Sequence, residues 1–203
     1  RVRAEKTIGF CNDVYDQDAA GPKSVADIAD IMVPHLGAST IEANTNAARR
    51  AAEQLIGYVE QGVSKYIVNK GVPDELDESF QKLAYCIAAV AHRCLGVNRA
   101  IRQIETSFYG ELQQYARWFL PPIVAGLARD FDAFMDPEEA EQYLNEKGVN
   151  YQNRQTDPHK SFNKSMTIDL LEGDNLIKQV SIRGTIVEGK LMISRINDFD
   201  GLY

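Results

Sequence analysis

Between Asp130 and Asp136 the chain reads DFDAFMD, three carboxylates interleaved with aromatic and apolar residues, and it continues into Glu138, Glu139 and Glu141. Carboxylates at this density can ligate a divalent cation, work as an acid/base pair, or meet a basic partner. Asp136 to Glu141 has an ordinary explanation, because acidic residues suit the first turn of a helix. Asp130 and Asp132 lack it: they fall toward the end of a short helix predicted over 123–134, where negative charge is unfavourable. Asp130, Asp132 and Asp136 are therefore the candidate cation or interaction patch.

Just before them lies the densest apolar run, WFLPPIVAGLA from Trp118 to Ala128. It is too short to span a bilayer, which takes about 20 residues. Its paired prolines bar the preceding residues from the helical region, so one helix ends near Phe119 and another begins at Pro122. With Phe108, Tyr115, Trp118, Phe119 and Phe131, this bent segment is a candidate wall for a pocket holding a small apolar ligand. The competing reading of the same aromatics is plain core.

Other chemistries find less support. Cys86, His92 and Cys94 are spaced six, two and eight apart, whereas helical metal ligands share a face at three or four. His35 follows a proline and His159 lies in a polar loop, neither near a plausible nucleophile. Asp16-Gln17-Asp18-Ala19-Ala20-Gly21, with Asp27 at the twelfth position, is a fragment of a calcium loop, but it carries Ala where the fifth ligand belongs. There is no G-x-S-x-G, H-E-x-x-H, G-x-G-x-x-G or phosphate loop. No metal, cofactor or catalytic residue is expected.

The totals frame these choices. The chain has 203 residues, 44% hydrophobic and 25% charged, with a net charge of −7. It is long enough to bury a large core without staples and is expected to be water-soluble. The acidic balance repels phosphate backbones, so nucleic acid is not an expected partner. Three cysteines without framework spacing argue against a disulfide scaffold and for a reducing intracellular compartment, with Cys86 and Cys94 as small buried hydrophobes. The first residue is Arg1, which points to a start trimmed by processing or by choice and leaves an exported form open.

The elements follow from periodicity. Residues 1–22 read as an arm or loop, 23–148 as a helical body and 149–203 as a C-terminal antiparallel sheet, in a single domain. In the body, Val25, Ile28, Ile31 and Met32 mark a first helix. A second runs from the capping box at Ser39–Glu42 to Lys70-Gly71. A third, capped by Asp74, carries Leu76, Phe80, Leu83, Ile87, Val90 and Cys94. The same phase continues through Val97, Ile101, Ile104 and Phe108, either as one helix over 76–119 or, the preferred reading, as two broken at Gly96 and restarted by Asn98. Asp136-Pro137-Glu138-Glu139 opens the last helix and Lys147-Gly148 closes it.

Beyond Ser165 the period becomes two. Met166, Ile168 and Leu170, then Val180 and Ile182, then Leu191 and Ile193 form three strands with a tight turn at Glu188-Gly189. Val149–Tyr151 offers a fourth. The expected class is α+β, a bundle of five to six helices followed by this small meander.

Three functions are compatible with such a chain. The first is a non-enzymatic interaction or assembly module, using a helix face or the sheet edge to bind a protein partner or a second copy of itself. The second is a carrier of an apolar ligand between helices and sheet, an architecture on which some chains build a cone-shaped cavity. The third is an enzyme or metal-binding protein using the acids near 130–136.

Overall fold

The computed structural model describes residues 9–17, 19–96, 99–132, 134–156 and 162–201. Asp18 of the calcium-loop fragment, Val97 and Asn98 of the proposed restart, and His159 lie outside them. The described residues form two compact units, 1–52 and 53–203.

In the first unit a short parallel pair joins β1 (Cys11–Asn12) to β2 (Ile31–Met32). The Phe10 amide donates to Asp30 Oδ2 at 2.8 Å, and the Tyr15 hydroxyl donates to the Val33 carbonyl at 2.7 Å. The stripe Val25, Ile28, Ile31, Met32 thus forms turns and a strand where a helix was expected. Helix α1 spans Ile41–Gln61. Its cap is Thr40, whose Oγ1 accepts from the Ala43 amide at 3.0 Å.

Helix α1 stops at Gln61, nine residues before the expected Lys70, because of Gly62. That residue takes φ +65, and a Cβ on it would sit 2.8 Å from the Pro121 and Pro122 backbones. The following turn is fastened by Gln81, fully buried on α2 (Glu78–Leu95). Its Oε1 accepts from the Ser64 and Lys65 amides (3.2 and 3.1 Å), and its Nε2 donates to Ser64 Oγ and the Trp118 carbonyl (both 3.0 Å).

Helix α2 is capped by Asp77, three residues later than expected, through the Ser79 amide. It buries Phe80, Leu83, Ala84, Ile87, Ala88, Ala91 and Leu95, and ends at Gly96 with φ 91. Cys94 is exposed and Cys86 half-buried, so the first of these is not the buried hydrophobe expected. Burial pushes the Cys86 thiol pKa up.

After the break comes the main correction. Ile101–Phe108 is a strand, β3, and Gly110–Phe119 a 3-10 helix. Strand β3 lies inside a six-stranded mixed sheet ordered β4-β3-β5-β6-β7-β8, with β4 (Asn150–Arg154), β5 (Ser165–Glu172), β6 (Ile177–Val187), β7 (Lys190–Ile196) and β8 (Phe199–Asp200). Among the described residues there are four α-helices, the β1–β2 pair and this sheet, in place of a bundle of five to six helices and a three-stranded meander. The physical reason is that Ile101, Ile104 and Phe108 fit a helical stripe, while Ile104, Thr106 and Phe108 fit a strand face equally well. Tertiary packing between β4 and β5 decides it. The class remains α+β.

Helix α3 (Leu120–Leu127) starts on Pro121 and Pro122, and α4 (Pro137–Glu146) carries a complete capping box between Asp136 and Glu139. Together with the 3-10 helix they form the crossover that lets β4 lie parallel to β3. One sheet face, with Ile104, Phe108, Met166, Ile168, Leu170, Val180 and Ile182, is buried against α2 and the 3-10 helix, and α3 packs on α2, in a single core. Close approach is built in: a Cβ on Gly126 would fall 2.7 Å from the Tyr85 carbonyl oxygen, and one on Gly184 2.7 Å from Ile87 Cδ1. No helix is long and apolar enough to cross a membrane among the described residues.

Candidate functional site

The bent apolar segment goes into the core. Phe108 and Phe119 are fully buried, with ring centroids 4.9 Å apart. Trp118 is 8% exposed, and Tyr115 and Phe131 pack half-buried against the same cluster. All five belong to or pack against one core cluster, and of them Phe108 and Phe119 are in ring contact.

The acids are not brought to one point. Asp130 accepts from the Tyr143 hydroxyl at 2.5 Å and from Lys147 Nζ at 2.9 Å. Those bonds hold its pKa down at about 2, while burial and the Asp130 carboxylate push Tyr143 up to about 12. Asp132 closes a turn by accepting from the Phe134 amide at 2.9 Å, and Asp136 caps α4 through the Glu139 amide at 2.9 Å. Among the described residues no group of three or more His, Cys, Asp and Glu is placed to hold a metal ion.

Helix α1 presents a different feature. Of its 21 residues only Gly57 is buried, and the half-buried ones, Ala43, Arg50, Gln54, Tyr58 and Gln61, lie on the same side. At about 100° per residue, Ile41, Ala48, Ala52, Leu55 and Val59 form a stripe on the opposite side, with Ile56 at its margin. That stripe faces outward: Ile41 is 89% exposed, Leu55 64%, Ile56 51% and Val59 56%. An amphipathic helix ordinarily turns such a stripe inward.

The sheet's second face carries the densest chemistry. In register across β4, β3, β5, β6 and β7 stand Arg154, Ser107, Thr167, Arg183 and Arg195, and in the adjacent row Gln152, Glu105, Asp169 and Ser181. The Asp169 side chain is only 1% exposed and takes Arg154 Nη2 at 2.6 Å and Lys178 Nζ at 2.9 Å, both on Oδ2. Arg154 also binds Glu105 Oε2 at 2.9 Å and Ser107 Oγ at 3.1 Å. Burial alone would raise the Asp169 pKa, but Ser181, Lys178 and Arg154 outweigh it and hold it below the usual carboxylate range.

Compared with models of known protein families and with curated proteins, the chain matches none. The site therefore rests on geometry alone. Sequence reasoning passed over Arg154, Asp169, Lys178, Arg183 and Arg195 because single charges on strands, beside polar or apolar neighbours alike, are the ordinary signature of a solvated strand face. The available signal was Asp169 inside MTIDLL, a carboxylate in a run otherwise suited to a strand buried on both faces.

Proposed function

We propose that the protein is a non-enzymatic assembly module that pairs with a second copy of itself through α1. The observation that carries this reading is the exposed apolar stripe of α1, opposite the side that carries its one buried and five half-buried residues. Contiguous exposed apolar surface of this kind ordinarily marks an interaction site.

The occupant follows from the stripe's own complementarity. When two α1 helices run antiparallel so that residue i meets residue 107 − i, Leu55 meets Ala52, Ile56 meets Ala51 and Val59 meets Ala48. Each of these three large side chains then lies over an alanine of the other copy, which keeps the helices close and the volume of these layers similar. No two like charges oppose each other in this register: Arg49 meets Tyr58, Arg50 meets Gly57, Glu53 meets Gln54 and Glu60 meets Ala47. A helical surface of this kind is a standard recognition mode.

The test is sedimentation velocity on wild type, Leu55→Glu and Val59→Glu, with circular dichroism as the fold control. The reading expects each glutamate to weaken self-association at least about tenfold, since it places a charge in an apolar seam. Folded variants that associate as wild type does would overturn it.

A further inference from the structure

We infer that the free edge of β4 is a docking site for an extended basic segment of a partner protein, which adds a strand to the sheet and seats a lysine or arginine side chain beside Glu141. Strand β4 pairs with β3 on one side and has no neighbouring strand on the other among the described residues. Every second residue of a strand paired on one side turns its N–H and C=O groups outward. Among the described residues no hydrogen bond reaches the β4 backbone except those of the β3 ladder, and Asn150 and Gln152 are exposed.

Folded proteins ordinarily blunt such an edge with a bulge, a proline, an outward lysine or a strand too short to extend. The opposite edge is blunted in the last way, since β8 has two residues. Strand β4 carries none of these devices. Its residues Asn150-Tyr151-Gln152-Asn153-Arg154 pair one for one with β3, whereas the β3–β5, β5–β6 and β6–β7 ladders each contain a register shift. Its one charge, Arg154, is bound across the second face of the sheet by Glu105 and Asp169. At about 3.3 Å per residue the five residues of β4 span about 17 Å, so a segment of similar length pairs along it.

Beside this edge opens a groove of about 370 Å³. Tyr151 and Asn153 line it from β4, opposite Ile104 and Thr106 in the register and so on the core side of the sheet. Leu120 and Pro137 add apolar lining, and Glu138 and Glu141 of α4 add carboxylates. The one cation lining the groove, Arg117, is spent on Glu138 at 2.6 Å, while Glu141 forms no ion pair among the described residues. Its charge is felt at the groove wall: burial chiefly holds the Tyr151 pKa at about 12, and the Glu141 carboxylate adds to the rise. Strand addition uses both parts. Main-chain bonds to the edge hold the segment, and because side chains alternate along a strand, every second one enters the groove. A lysine or arginine can lay its apolar stem along Leu120 and Pro137 and carry its charge to Glu141. The net charge of −7 draws the same kind of segment and repels an acidic one.

The experiment is isothermal titration calorimetry of the full chain with an end-blocked peptide of alternating threonine and lysine, with its threonine–glutamate counterpart, and with two threonine–lysine peptides N-methylated at alternate residues, one in each phase. N-methylation removes the donors along one edge of an extended peptide and keeps its charge. The threonine–lysine peptide is expected to bind saturably and at least about tenfold more tightly than the threonine–glutamate peptide. One N-methylated phase should lose at least about tenfold and the other bind as the parent does, because only one edge of the peptide faces β4. Glu141→Gln, a substitution at an exposed helix position, should weaken the threonine–lysine peptide by about three- to tenfold, with circular dichroism as the fold control. Absence of saturable binding by the threonine–lysine peptide overturns the site. So does equal binding of the parent and both N-methylated peptides, which would reflect attraction to the net charge without strand pairing, and so does undiminished binding to Glu141→Gln.

Discussion

Asp169 shows how a carboxylate survives inside a sheet. Its oxygen is desolvated, and the Arg154 and Lys178 charges on Oδ2 are what make ionisation tolerable there. Arg154→Met is expected to cost roughly 2 kcal/mol in urea unfolding, less than a fully buried pair would, because Arg154 is 33% exposed and Lys178 stays in place. The contribution of Asp169 has a defined sign: its folded pKa is depressed, so stability is full above the ordinary value of 3.8 and is lost as the pH falls below it. Asp130 and Tyr143 act as a second unit. Asp130 contributes fully above 3.8 and loses its contribution as the pH falls toward about 2, and Tyr143 contributes fully below 10.0 and loses its own as the pH rises toward about 12. Following tyrosinate absorbance, Asp130→Asn should bring Tyr143 part of the way back toward 10.0, burial keeping the remainder. Tyr151, held at about 12 chiefly by burial, should not move. Unchanged titration in the variant would contradict this assignment.

At the scale of elements, the join between α1 and α3 depends on a missing side chain. Gly62→Ala forces a left-handed backbone on alanine and drives a Cβ into the Pro121 and Pro122 backbones, 2.8 Å away. It should destabilise by about 2–4 kcal/mol, measured from the denaturation midpoint at unchanged m-value. Loss of less than about 0.5 kcal/mol would mean that the segment bends freely there. The same residue explains a limit of the sequence. Gly62 sits in the expected helix 41–70 without any neighbouring stop signal, and only the prolines 60 residues on make it a terminator. Strand β3 was hidden for a similar reason: with Ile101, Ile104 and Phe108 at helical intervals, nothing local separates the two periods. By contrast α4, whose cap, first-turn proline and closing glycine are all local, and the Glu188-Gly189 hairpin, with φ of 50 and 75, were legible in full.

For the whole molecule, legibility followed distance in sequence. The apolar run from Trp118 was readable as a bent core segment because its constraints, two prolines and a hydrophobic run, are local. The charged sheet face gathers Glu105, Arg154, Asp169, Arg183 and Arg195 from five strands, and no short motif can announce such a set. The outward stripe of α1 lies between these cases, since Ala48, Ala52, Leu55 and Val59 recur at helical spacing in the sequence and only the direction they face required the structure. Assembly through that stripe is the central claim, and the molar mass in solution tests it most directly. Light scattering coupled to size exclusion, run as a concentration series with reductant present to keep the exposed Cys11 and Cys94 from cross-linking, should give a mass rising toward twice the chain mass of 22.7 kDa. A mass that stays at 22.7 kDa across the series would contradict the account.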